Sequence, residues 1–137
     1  MKPSIAEVQA FFDQEFPDTK IWVEALGDKK SRLRKPVTKS SLRPGGTVSG
    51  PFMMALADAS IYAAIFGELG LVAQAVTTNL NINFLRRPAA DKDVIAECTL
   101  LKVGALLVVG EVSLYSDQDQ QPIAHAVGTF AIPVSKK

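Results

Sequence analysis

At 137 residues the chain is long enough to bury one sizeable core without metals or disulfides, and it is read as a single domain spanning 1–137. Apolar residues make up 47% and charged residues 21%, which excludes a disordered or fibrous chain. Fifteen Lys plus Arg stand against fourteen Asp plus Glu, so no global field draws nucleic acid or an anionic membrane; one cysteine and one histidine exclude an internal disulfide and a zinc site of the usual Cys/His kind.

Read from the start, MKPSIAEVQAFFDQEF carries acids and lacks the apolar core and small-residue cleavage site of a signal peptide, so it is taken as part of the mature protein. Ser4 and Glu7 stand at capping-box spacing, and Ile5, Val8, Phe11 and Phe12 recur at helical spacing, which predicts a short amphipathic helix over 4–15. A strand follows in which Ile21, Val23 and Ala25 alternate with Trp22, Glu24 and Leu26, turning at Gly27-Asp28 into a second strand over Ser31 to Val37. The polar stretch TKSSLRPGGTVSG, Thr38 to Gly50, reads as a loop.

That loop delivers the chain to PFMMALADASIYAAIFG, a helix with Ser49 or Gly50 as its N-cap, Pro51 in its first turn and an end near Gly67 or Gly70. Its apolar run is short of the roughly 20 residues a bilayer needs and contains Asp58, so a buried soluble helix is the reading. Beyond it the period changes to two. Val76, Leu80, Ile82 and Phe84 share one parity, and Thr77, Asn79, Asn81 and Asn83 the other. Val94 to Val103, Leu106 to Tyr115 and Ile123 to Val134 complete the strands. One long apolar helix with about five to six strands, most of them consecutive and so antiparallel, predicts an α+β domain. A helix apolar around most of its circumference calls for a strongly curved sheet wrapped around it.

Asp58 is the anomaly of that helix. A carboxylate in low dielectric resists ionisation and stays only where hydrogen bonds, a positive dipole or a function compensates. It lies about two turns in, beyond the reach of the helix dipole, and its face-mates Met54, Ala55, Ile61 and Tyr62 offer no cation. Its partner must come from another strand, another subunit or a ligand. A structural hydrogen bond and a functional carboxylate are both open on this evidence; the glycine-rich loop at the helix start, with backbone N–H groups suited to an oxyanion, favours function.

The blocks LRPGGTVSGPFMMALADASIY, VTTNLNINFLRRPA and AHAVGTFAIP, in this order and spacing, resemble the hotdog-fold acyl-CoA thioesterases of the phenylacetate-degradation type over most of the chain beyond about residue 40. The resemblance implies a hotdog fold: a long central helix wrapped by a curved antiparallel sheet, here with a short N-terminal helix. It further implies a homodimer or homotetramer with active sites at the subunit interface, acyl-CoA as substrate, and no cofactor beyond the coenzyme A that is part of that substrate. By the same resemblance Asp58 activates water or attacks the thioester carbonyl, the Gly50 N–H polarises that carbonyl, and Thr77 assists, in these enzymes usually across the dimer; one extra residue before the strand makes Thr78 the alternative. Two positions depart. The usual histidine before the glycine is Ser49, whose plain reading as an N-cap stands beside a role in catalysis, and the usual asparagine falls near Arg43; the second glycine of the pattern is Pro51.

Seven basic and no acidic residues between Lys29 and Arg43 read first as a solvated strand edge and loop. Coenzyme A phosphates would engage Arg43, Arg86 and Arg87; Phe52, Met53 and Met54 read first as packing residues, with an acyl-pocket lining as the alternative for Met54. His125 and Cys98 have no partner in useful spacing and read as packed strand residues, the thiol staying reduced in a cytoplasmic setting. The expectation is therefore an acyl-CoA thioesterase, or a non-catalytic acyl-CoA binding protein of the same fold, with no nucleic acid, membrane or metal.

Overall fold

The computed structural model describes residues 2–133. Helix α1 covers Ile5–Glu15, capped by Ser4, whose hydroxyl accepts from the Glu7 amide while the Glu7 carboxylate accepts from the Ser4 amide. Strands β1 (Trp22–Gly27) and β2 (Lys30–Lys35) follow, then β3 (Leu42–Arg43), β4 (Thr47–Val48), the long helix α2 (Gly50–Leu69), and strands β5 (Val76–Phe84), β6 (Val94–Val103), β7 (Leu107–Ser116) and β8 (Ala124–Ala131). The end predicted for the last strand, Val134, lies outside the described residues.

Six strands form one antiparallel sheet in the order β1-β2-β6-β7-β8-β5. The chain leaves β2, runs through α2, enters the far edge as β5 and returns to the middle as β6. Helix α2 touches every strand of that sheet, so the sheet curves around it, as expected from a helix apolar on most sides. The tightest approach is over Ile61. Gly128 of β8 and Gly110 of β7 are cross-strand partners beneath it, and a Cβ on Gly128 would stand 2.7 Å from Ile61 Cδ1.

Helix α2 has the bounds expected of it, with Ser49 as N-cap and Gly70 as C-cap; at 20 residues it is long enough to cross a bilayer, where its apolar run reads in the sequence as too short, but most of it is packed inside as the core helix. Gly70, at φ 92°, closes it with its N–H on the Phe66 carbonyl; Gly67 stays inside the helix, where its missing Cβ makes room for Leu26.

Three strands break the simple alternation, each through one extra residue: β1, β5 and, at Leu101, β6. In β1 the register shifts between Val23 and Ala25, so Leu26 turns inward onto Gly67 and Ala25 outward opposite Arg32, the reverse of the expected parity. The bulged Glu24 reaches both Arg32 and Arg34. The segment expected as plain loop, Thr38 to Gly50, also carries more order: a short 3₁₀ turn at Lys39–Ser41 and the two-residue ladder of β3 with β4, which turns through Gly45 and Gly46 at positive φ.

Two of the seven residues of the basic run are neutralised on the outer sheet face. Arg32 pairs with Glu24 and Glu97, and Arg34 with Glu24, Asp93 and Asp117, tying β1, β2 and the ends of β6 and β7 together. The Arg34 hydrogen bond holds the Asp117 carboxyl below its usual value. A depressed carboxylate adds stability above its unfolded value, about 3.9, and loses it as pH falls through the folded one. Arg34→Ala is therefore expected to lower Tm by a few degrees at pH 7, with the gap to wild type closing as the pH drops below 4; thermal melts across that range check it.

His125 is a strand residue, as expected; it lies partly exposed on the outer face of β8, 2.9 Å from Glu111, on the side of the sheet away from α2. Cys98 is buried as expected, its thiol pushed up to about 12 by that burial.

Candidate active site

The sheet leaves one stripe of α2 open. Pro51, Met54, Ala55, Asp58, Ala59 and Tyr62 recur at i, i+3, i+4, i+7, i+8 and i+11, and each is at least partly exposed. Asp58 is the single charge on it. Partial burial raises the Asp58 pKa above the ordinary carboxylate range, and a hydrogen bond from Thr77 pulls it back part of the way.

That hydrogen bond is short: Thr77 Oγ1 donates to Asp58 Oδ1 at 2.6 Å, within one chain, where the resemblance implied a contact across the dimer. Its origin is the second bulge. In β5 the register shifts between Thr77 and Asn79, leaving Thr78 unpaired. Thr77 is thereby set opposite Phe130, a core residue, and faces the helix, whereas the parity it shares with Asn79, Asn81 and Asn83 would turn it out to solvent. Val76 moves the other way: expected on the apolar face, it is 56% exposed. The Thr78 hydroxyl is used by the Thr129 carbonyl at 3.1 Å, so Thr77 is the threonine that meets Asp58.

Ser49 and Gly50 sit elsewhere. The Ser49 hydroxyl accepts from the Phe52 amide at 3.3 Å, which makes it the N-cap of α2. Gly50 opens the helix, its amide among those with no intrahelical acceptor, and it lies against the Phe84 ring at the end of β5. Eight residues of helix put it about 12 Å from Asp58 along the axis, so the two do not converge within one chain. Arg87 donates to the Gly45 carbonyl at 3.1 Å, which joins the Arg86-Arg87 end of β5 to the loop that carries Arg43; all three are exposed. Met54 lies on the open stripe but lines neither cavity beside it.

Those cavities bring in residues that the sequence did not single out. One, of about 210 Å³, has Asp58 on its wall together with Phe12 and Phe16 from α1 and its end, Ile21, Ala59 and Tyr62. Tyr62 donates its hydroxyl to the Ala73 carbonyl at 2.7 Å and so offers the cavity its ring. The other, of about 490 Å³, lies toward the start of α2 and is mixed, with Lys20, Lys35, Ser41 and Ser49 beside Pro36 and Phe52 in its lining. Lys35 stands 4.5 Å over the Phe52 ring, and burial lowers its pKa. Tyr62, four residues after Asp58, was the one available signal for the smaller cavity; nothing in the α1 pattern said that its aromatics would face a carboxylate. Among the described residues no group of His, Cys, Asp or Glu is arranged to hold a metal ion.

A family model, that of the thioesterase superfamily, matches residues 45–123. Among solved structures, a candidate thioesterase from Silicibacter sp. TM1040 is similar at 37% identity, with a TM-score of 0.86 over 96% of this chain and 92% of that one. A mutant thioesterase from Pseudomonas aeruginosa is similar at 24% identity and TM-score 0.85, over 98% of this chain and 97% of that one. The E. coli PaaI protein, from the phenylacetic acid degradation operon, follows at 21% and 0.79, over 92% and 93%. At such identities the last two speak to the fold alone. No match is found among curated proteins.

Proposed function

Since this chain belongs to the thioesterase superfamily and has the hotdog fold, we propose that it is an acyl-CoA thioesterase, hydrolysing a thioester to coenzyme A and a free carboxylic acid. The observation that carries this reading is the 2.6 Å Thr77–Asp58 pair at the wall of an apolar cavity. A carboxylate with a raised pKa, oriented by one donor and open on its other side, is suited to general-base work. Either it takes a proton from water as the water oxygen adds to the thioester carbonyl, or it adds to that carbonyl itself and forms a mixed anhydride that water then hydrolyses; label found in Asp58 after a single turnover in oxygen-labelled water marks the second route. The thiolate of coenzyme A then leaves and is protonated.

The oxyanion needs a donor that the same chain cannot bring to Asp58. A second copy, its helix antiparallel to the first, supplies Gly50, so the working unit is a homodimer, alone or within a homotetramer. The edge position of β5, whose outer side has no neighbour in the sheet, supports such pairing. Arg43, Arg86 and Arg87 take the phosphates of coenzyme A, Met54 belongs to the interface, and the site of action is the cytoplasm.

Coenzyme A release from a panel of acyl-CoA thioesters tests the reading; no release from any of them overturns it. A second reading, binding without hydrolysis, is favoured by one observation: Ser49, in the place of the family's histidine, is held as the N-cap of α2 with its oxygen on the Phe52 amide, which leaves one O–H to donate and no imidazole. Tight acyl-CoA binding by calorimetry with no turnover would select it.

The pH dependence follows from the same pair. A base must be ionised, so kcat/KM falls as pH drops through the Asp58 pKa, at a pH above the ordinary carboxylate range. Thr77→Val removes a hydrogen bond to the ionised form and is expected to move that acid limb further up, with a loss of about tenfold or more at neutral pH. A kcat/KM profile for both proteins reads it.

A further inference from the structure

We infer that the cavity formed by α1 and the open stripe of α2 is the acyl pocket, that it restricts the substrate to thioesters of short, compact, uncharged acyl groups, and that Phe16 and Ala59 set the limit. The inference rests on the thioesterase reading above. Position makes the first part: this cavity has Asp58 on its wall, so a thioester carbonyl at that carboxylate directs its acyl group inward. Chemistry makes the second. Apart from Asp58 and Thr19 its lining is apolar, whereas the larger cavity next to it sets two lysines and several hydroxyls among its apolar residues, groups that an alkyl chain would desolvate.

Size completes the argument. About 210 Å³ is below the ~300–1,000 Å³ of pockets that enclose drug-sized ligands. The walls do not yield readily. Phe12 is 3% exposed and packed edge-on against Phe11, and the Tyr62 ring is fixed by its bond to Ala73 and by contact with Phe66 and Phe130. Phe16 differs. It follows the last turn of α1, is 45% exposed, and pairs with the rings of Phe11 and Phe12 at 6.5 and 6.0 Å between centres. It lines the cavity where the chain leaves α1, and Ala59, partly exposed on α2, lines it with no more than a methyl group.

The test measures kcat/KM for acetyl-, isobutyryl-, hexanoyl-, decanoyl- and palmitoyl-CoA with the full chain, and in parallel the affinity for the matching non-hydrolysable thioether analogues. Wild type is expected to peak among the first three and to fall at least tenfold by decanoyl. Phe16→Ala moves the optimum toward longer groups, and Ala59→Leu moves it toward acetyl. Equal rates across the series, or an optimum that neither variant moves, overturns the pocket and leaves the hydrolase standing. No hydrolysis of any member, with thioether affinities graded by size and shifted in opposite directions by the two variants, overturns the hydrolase and keeps the pocket.

Discussion

Replacing Asp58 by Asn is expected to lower thioester hydrolysis by about 10²- to 10⁴-fold, the usual contribution of a positioned general base, while Tm stays unchanged or rises. The two halves of this result come from one cause. Partial burial raises the Asp58 pKa, so the folded protein keeps its proton to higher pH than the unfolded chain does. For an acid shifted in that direction, stability is lost as pH rises from the unfolded value, about 3.9, through the folded one, and remains lost above it. At neutral pH the ionised carboxylate is therefore a net cost to the fold. Asn removes the charge and keeps an acceptor for the Thr77 hydroxyl. A carboxylate kept for structure would show the opposite pattern, a lower Tm with turnover intact, so melting curves and coenzyme A release on the same preparation decide the matter.

Gly128→Ala is expected to destabilise the protein by about 1–3 kcal/mol, the range for an added methyl in a packed core. The new Cβ would stand 2.7 Å from Ile61 Cδ1 and 3.1 Å from Leu80 Cδ1, under a helix residue that is fully buried. Ile61→Val deletes the nearer of these atoms at its own cost of about 0.5–1.5 kcal/mol. The double variant should thus be less destabilised than the sum of the two, a coupling that denaturant melts read directly. Gly110→Ala provides the control. Its Cβ would meet Ile61 Cγ1 and Cγ2 at 3.2 Å, and valine retains both, so Ile61→Val should relieve it little.

How far the sequence carries depends on which residues are asked. The Ser4–Glu7 capping box, the α2 boundaries and the anomaly of Asp58 are local, set by side-chain type at fixed spacing, and each has its counterpart in the structure. The sheet curvature was legible too, because no flat sheet satisfies a helix with so many buried positions. Inward and outward parity in β1 and β5 was not. A period of two holds only while each residue has one partner, and extra residues at Glu24 and Thr78 are set by pairing with strands far along the chain. The aromatic wall given by Phe12, Phe16 and Tyr62 was hidden for the same reason: it exists only where α1 meets α2. His125 was legible as a packed strand residue, but the face it takes was not: its neighbours Ala124 and Ala126 face inward and it faces out.

The extra residue in β5 makes the aim of the Thr77 hydroxyl a matter of chain length. Every exchange at position 78 keeps the count of residues, and with it the face on which Thr77 sits; loss of one residue there would carry the hydroxyl to the opposite side and draw Val76 inward in its place. A scan of substitutions would pass over this control point. Relatives that differ by a one-residue insertion or deletion at the start of this strand would differ in whether a hydroxyl meets the carboxylate at all, whatever their similarity elsewhere.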